Sequence, residues 1–206
     1  MIDILVIFII LFPAIILHEC AHGWVALRLG DPTAKEAGRL TLNPLKHVDP
    51  VGTVLLPGIL ILLRVMGIQT IIFGWAKPVP IDFRRLKNPK RDMIGVALAG
   101  PAVNIFLAFL LSRFVHTNYS FKVMEMLVLA IFINLLLAVF NMIPIPPLDG
   151  SRLVMGLLPN RLAFEYAKLE RYGILIVILL LSTGLFETIV IPIVNYLGSL
   201  LGVNFS

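Results

Sequence analysis

The chain has 206 residues, of which 59% are hydrophobic and 14% are charged. Soluble domains average about 45–50% apolar and about 25% charged residues, so this composition excludes an ordinary soluble domain and indicates an integral membrane protein. The net charge of +5 is typical of Lys/Arg-rich cytoplasmic loops rather than of nucleic-acid binding, and the single cysteine excludes an internal disulfide.

The apolar runs predict an all-α, polytopic fold with about five or six membrane segments, in a single domain over residues 1–206. The first span covers 2–29, contains Pro13 and ends at Gly30, a residue type that commonly terminates helices. Further apolar segments cover 51–73, 93–115, 123–143 and 172–203.

Two polar loops, 30–50 and 74–92, are rich in Lys and Arg. Such loops are normally cytoplasmic, yet a single crossing by 51–73 would place them on opposite sides of the membrane. Because a double crossing needs about 40 residues, we predict a re-entrant or hairpin element at about 51–73. A single crossing that violates the charge rule is the alternative. The spans 93–115 and 123–143 would then run out and back, and the N-terminus would lie outside.

The first span contains the sequence HECAH at residues 18–22. His18 and His22 are four residues apart, so their imidazoles lie on one helix face, where they can bind one zinc ion. Glu19 is placed to act as general base toward a metal-activated water, as in HExxH metalloproteases. A pair of helix-packing histidines in a transporter or channel is the alternative, although ionisable residues within a span are usually functional.

A catalytic zinc site typically has three protein ligands and one open position. The candidates for the third ligand are carboxylate or imidazole side chains outside the first span: Asp31, Glu36, His47, Asp49 and Asp149. All but Asp149 lie in the polar loop that follows the first span. Asp149 instead follows a helix break made by three prolines, and a segment dipping in from the cytoplasmic side could deliver it to the depth of His22, about 12 Å below Gly30. The same residue would also serve as a helix N-cap.

Five segments, HECAH, GRLTLNPLKHVDPVGT, GWAKPVP, AGPAVN and NMIPIPPLDG, follow one another in that order. With them the chain resembles the site-2 protease family of intramembrane zinc metalloproteases, and most of all its compact prokaryotic members without PDZ or CBS domains. The resemblance extends over nearly the whole chain. It implies one zinc ion per chain, bound by His18, His22 and Asp149, with Glu19 as the general base.

The resemblance also implies that Asn141 contacts the substrate or polarises its carbonyl. Backbone near GWAKPVP or near Pro144 could hold an unwound substrate as an added strand, so short membrane-associated strands are expected as well. Asn104, in AGPAVN, is expected mainly at a close helix contact, with a role next to the substrate site as the weaker alternative.

The predicted function is therefore hydrolysis of peptide bonds in or near transmembrane segments of other membrane proteins, with a catalytic core formed by 2–29, 93–115 and 123–158. The protein is expected in the lipid bilayer of a prokaryotic cell membrane, with its active site toward the cytoplasm. Nucleic acid is not expected as a partner. The alternative is a metal-binding transporter or a non-catalytic zinc scaffold. Glu19 distinguishes the two, because a transporter needs ligands but no general base.

Overall fold

The computed structural model describes residues 4–68, 74–115, 117, 119–184 and 186–205. Within these residues the fold is helical and contains no β-strand, so the expected short strands are not present there. The α-helices are α1 Ile4–Arg28, α2 Thr33–Glu36, α3 Leu56–Val65, α4 Pro89–Ser112, α5 Phe121–Asn141, α6 Asp149–Leu157, α7 Asn160–Ala167, α8 Gly173–Ser182 and α9 Ile191–Leu200. Short 3-10 or π-helical turns lie at Pro44–Lys46, Pro50–Leu55, Phe83–Arg85, Lys168–Tyr172 and Phe186–Val190.

Helices α1, α4 and α5 are long and apolar enough to cross a membrane. A fourth crossing is possible only if Asn160–Ser182 and Phe186–Leu200, which meet at 73°, form one broken span. The described residues thus contain three candidate spans, or four, rather than five or six. The reason is that the other apolar segments are divided: the helical stretch Pro50–Val65 is about 24 Å long, shorter than the roughly 30 Å hydrocarbon core.

The two ends of the segment predicted to be re-entrant lie side by side. The Trp75 N–H donates to the Gly52 carbonyl at 3.1 Å, and the Thr53 hydroxyl donates to the Trp75 carbonyl at 2.8 Å. The chain therefore leaves at Gly52 and returns to the same place by Trp75, which favours a hairpin over a single crossing. Residues 69–73 of this segment lie outside the described part of the chain.

The two basic loops also pack against each other. The Lys87 N–H donates to the Leu29 carbonyl at 3.0 Å. The fully buried Asp31 carboxylate accepts the Asp82 N–H at 2.7 Å and belongs to the loop that directly follows α1. Because these contacts join 29–50 to 74–92, both loops lie at the same end of α1.

Helix α4 lies at the centre of the bundle and packs against α1, α5 and α6. Small residues permit these close contacts: Ala97 and Ala108 are buried on α4, and an added Cβ at Gly156 of α6 would lie 2.5 Å from Ile94 of α4. Close packing through small residues is characteristic of membrane helices. Helix α4 therefore touches every element that carries a predicted metal ligand.

The Pro-rich connection between α5 and α6 folds back tightly on the start of α6. An added Cβ at Gly150 would lie 2.3 Å from the Met142 carbonyl oxygen and 2.5 Å from that of Ile143. Only glycine fits against backbone at this distance, so Gly150 lets the connection reverse immediately beside Asp149. This reversal turns the first residue of α6 toward α1.

Candidate metal centre

His18, His22 and Asp149 meet at one point between α1 and α6. The Nε2 atoms of the two imidazoles are 3.0 Å apart, and the Asp149 Oδ2 atom lies 3.1 Å from His18 Nε2 and 3.2 Å from His22 Nε2. Both histidines are buried. Among the described residues this is the one group of three metal-ligating side chains whose ligand atoms converge.

The dimensions of this triangle suit a zinc ion. Zinc binds nitrogen and oxygen at about 2.0–2.2 Å in tetrahedral geometry, which places neighbouring ligand atoms about 3.3 Å apart. The three observed separations are 3.0–3.2 Å. Two imidazoles and one carboxylate leave one coordination position open, as catalytic zinc sites require.

The other nitrogen of each imidazole faces an acceptor on α4. His18 Nδ1 lies 2.6 Å from Asn104 Oδ1, and His22 Nδ1 lies 2.7 Å from the Val96 carbonyl oxygen. Each Nδ1 therefore carries the proton and donates it, so each Nε2 presents its lone pair to the metal position. Such partners fix the ring orientation and tautomer of metal-binding histidines.

Gly100 lies between these two acceptors on α4 and directly beside the triangle. An added Cβ there would lie 2.3 Å from His22 Nε2 and 2.5 Å from His18 Nε2. The absence of a side chain at position 100 therefore leaves open the volume next to both ligand nitrogens. From the sequence, Gly100 appears only as a packing residue, because a site made by a missing side chain has no signal of its own.

Two buried amide side chains, those of Asn104 and Asn134, form a hydrogen-bond network on the Nδ1 side of His18. The Asn104 Nδ2 group donates to Asn134 Oδ1 at 3.0 Å, and Asn134 in turn donates to the Ala130 carbonyl at 2.9 Å. This fixes Asn104 with its oxygen toward His18. Asn134 is absent from the sequence-based site, although an amide within an apolar span is itself a functional signal.

The Glu19 carboxylate contacts the segment GWAKPVP. Its Oε2 atom accepts the Val79 N–H at 2.8 Å. Within the described residues the Glu19 side chain makes no other hydrogen bond and no ion pair. One carboxylate oxygen is therefore held and the other is available.

The other sequence-based candidates lie outside the triangle. The Asn141 amide donates to the Leu137 carbonyl of its own helix at 2.9 Å, and the Pro144 carbonyl accepts the Tyr166 hydroxyl at 2.5 Å. Four further ligand candidates have hydrogen-bond partners in the loops instead: Asp31, Glu36, His47 and Asp49.

Sequence similarity to known proteins identifies the family of this chain. The sequence profile of peptidase family M50 matches residues 114–183, which include Asp149. The chain is also 38% identical over 190 residues to YwhC of Bacillus subtilis (strain 168), which carries the name of a zinc metalloprotease. That alignment covers 87% of this chain and 81% of YwhC. The chain belongs to peptidase family M50.

This M50 peptidase is also similar to longer proteins. Rip2 of Mycolicibacterium smegmatis is 32% identical over 170 residues, covering 81% of this chain and 62% of Rip2. Zinc metalloprotease MJ0392 of Methanocaldococcus jannaschii is 26% identical over 163 residues, covering 77% of this chain and 36% of MJ0392. No solved structure matches the chain.

Membership of this family confirms three sequence-based predictions. The M50 peptidase is an enzyme, a metalloprotease of the site-2 protease type, and its cofactor is zinc. Its apolar helices and its relatives identify it as an integral membrane protein. These findings favour the peptidase over the transporter and scaffold alternatives.

Proposed function

We propose that this protein is an intramembrane endopeptidase that hydrolyses peptide bonds in or near transmembrane segments of other membrane proteins. In this proposal one zinc ion per chain is held by His18, His22 and Asp149. The observation that carries it is the 3.0–3.2 Å triangle of ligand atoms. Its two histidines belong to α1, a helix long and apolar enough to span a membrane.

The depth of the site supports hydrolysis within the membrane. His22 lies eight residues before Gly30, which corresponds to about 12 Å along α1. Gly30 begins the first of the two Lys/Arg-rich loops that pack together at this end of α1. Since such loops are normally cytoplasmic, we propose that the site opens toward the cytoplasm of a prokaryotic cell.

The catalytic roles follow from the chemistry of each side chain. Zinc, when bound, lowers the pKa of a coordinated water toward 7 and polarises a carbonyl group. Glu19 removes the proton from the attacking water and returns it to the amine nitrogen of the leaving peptide. Asn104 and the Val96 carbonyl keep the two imidazoles in the ligating tautomer. Asn141 and Pro144, at the start of the Pro-rich connection, are proposed to contact the substrate.

The extended segment GWAKPVP is proposed to hold the unwound substrate. The backbone N–H and carbonyl of both Trp75 and Lys77 are hydrogen-bonded to residues of the loop 39–53. Because neighbours along an extended chain face opposite sides, Ala76 and Pro78 face the other edge. A substrate strand added at that edge meets the N–H and carbonyl of Ala76 but only a carbonyl at Pro78.

The test uses the purified chain in lipid vesicles with a reporter that has one apolar segment of about 20 residues and a different epitope tag at each end. Wild type is expected to cut the reporter within the apolar segment. Glu19→Gln is expected to retain one zinc per chain and to lose cleavage by a factor of at least about 100. The matched control is Glu36→Gln, since Glu36 is an exposed carboxylate paired with Arg85.

Cleavage by Glu19→Gln at the wild-type rate would exclude Glu19 as the general base. Wild-type protein that binds zinc but leaves every membrane reporter intact, while cutting soluble peptides, would exclude the intramembrane substrate. Zinc retention by His18→Ala, His22→Ala and Asp149→Asn alike would exclude the proposed ligand set.

A further inference from the structure

We infer that the main-chain N–H of Val79 is a positioning group for catalysis, which acts by orienting the Glu19 carboxylate. The inference deepens the proposed function and rests on the role proposed there for Glu19. It adds to the site a backbone atom that lies 60 residues away in the sequence.

The hydrogen bond restrains one oxygen of Glu19 and leaves the other unoccupied. Val79 N lies 2.8 Å from Glu19 Oε2, and this is the one hydrogen bond of the Glu19 carboxylate among the described residues. Glutamate has three side-chain torsions, so a carboxylate without a partner samples many positions. A fixed donor at Oε2 selects the orientation in which Oε1 is free to take a proton.

The sequence around Val79 makes this donor specific. Val79 lies between Pro78 and Pro80, and proline has no N–H and a fixed φ near −65°. Val79 is therefore the only backbone donor in three residues, held in a stiff segment. The segment is anchored just upstream, where the Lys77 N–H donates to the His47 carbonyl at 2.9 Å and the Arg39 guanidinium donates to the Lys77 carbonyl at 2.8 Å.

The absence of a side chain at Gly23 of α1 lets Val79 approach Glu19. Gly23 follows Glu19 by one helical turn and lies on the same face. An added Cβ at Gly23 would lie 2.8 Å from Val79 Cγ1 and 2.7 Å from Leu40 Cδ2. The Val79 side chain, which is 6% exposed, thus occupies the space that glycine leaves. Its packing there sets the position of its N–H.

The experiment measures zinc content, kcat and KM for the vesicle-bound chain with the same tagged reporter. Val79→Pro removes the N–H, whereas Val79→Ala shortens the side chain and keeps it. We expect kcat of Val79→Pro to be about 10- to 100-fold below that of Val79→Ala, as expected for a misplaced catalytic group. Zinc content and KM should be the same in both variants.

Exchange of the Val79 amide for an ester, by incorporating α-hydroxyvaline during cell-free translation, removes the N–H and keeps the side chain. If Val79→Pro loses zinc through misfolding, the ester protein tests the role of the N–H instead. We expect its kcat to be about 10- to 100-fold below that of wild type. The inference is overturned if the ester protein has kcat within about twofold of wild type, or if it loses zinc or changes only KM. Failure of the proposed function gives a different result, because Glu19→Gln would then remain active.

Discussion

Replacement of Gly100 by alanine is the sharpest test of the metal centre. The new methyl group would lie 2.3 Å from His22 Nε2 and 2.5 Å from both Cε1 and Nε2 of His18. Real Cβ atoms essentially never lie within 3.0 Å of a non-bonded atom, so His22 Nε2 and the new methyl group, 2.3 Å apart, must separate by about 0.7 Å. The imidazoles cannot rotate freely, because their Nδ1 atoms are hydrogen-bonded to the Asn104 side chain and the Val96 carbonyl, which belong to α4 as Gly100 does.

The size of the effect follows from where the methyl group lies. At 2.3–2.5 Å from both ligand nitrogens it overlaps the shell in which a zinc ion would sit, at about 2.0–2.1 Å from each nitrogen. Disturbing only the partners of ligands typically costs 10- to 100-fold in metal affinity, so we expect Gly100→Ala to weaken zinc binding by at least about 100-fold. The substitution should by itself stabilise α4, because alanine is favoured over glycine in a helix by about 1 kcal/mol. Weaker zinc binding would therefore not come from a weakened helix.

The assay is competition of the purified protein with a chelator of known zinc affinity, followed by metal analysis. Gly95→Ala is the matched control on the same helix, since an added Cβ there meets only Leu29 Cδ1 at an ordinary 3.7 Å. It is expected to keep wild-type affinity. Equal zinc affinity in Gly100→Ala and Gly95→Ala would refute the placement of the ion at the triangle between α1 and α6, directly beside Gly100.

Three further predictions concern the residues around the ligands. Asn104→Leu removes the acceptor of the His18 Nδ1 proton and should weaken zinc binding about 10- to 100-fold in the same competition assay; unchanged affinity would contradict the tautomer argument. Gly150→Ala places a methyl 2.3 Å from a backbone carbonyl of Met142 and should lower both zinc content and the thermal midpoint, whereas Gly58→Ala, where nothing lies within 4 Å, should lower neither. Removal of zinc by a chelator should lower the thermal midpoint, because an ion at 1,000 times its dissociation constant stabilises the folded state by about 4 kcal/mol; a midpoint that does not depend on zinc would show that the ion does not join α1 to α6.

The sequence predicts the spanning helices well because their signal is long and apolar. The first span was expected at 2–29 and lies at Ile4–Arg28, and Gly30 has the positive φ of +113° that favours glycine after a helix. Helix α4 begins at Pro89 rather than at 93, because its first turn is charged and carries no hydropathy signal. Proline at the first helical position is instead the signal that marks this start.

The number of spans and the supporting residues are harder to predict. Composition does not distinguish an apolar segment that crosses from one that turns back, and the return at Trp75 depends on hydrogen bonds to Gly52 and Thr53. The Pro-rich break makes Asp149 one of several candidates for the third ligand, and the resemblance to the site-2 protease family selects it. The roles of Gly100 and Val79 could not be predicted, because one contributes the absence of a side chain and the other a backbone N–H, and neither produces a hydropathy signal.

The stripe of α4 that faces the histidines sets a limit on how this helix can vary in length. Val96, Gly100 and Asn104 are spaced by four residues, so together they form one line along α4 beside the imidazoles. One residue inserted between Val96 and Asn104 would turn the later part of the helix by about 100°, and the two histidines would no longer find their acceptors on the same side. Insertions in the connection at 113–120 leave this line intact, so insertions there should be tolerated better than insertions between Val96 and Asn104.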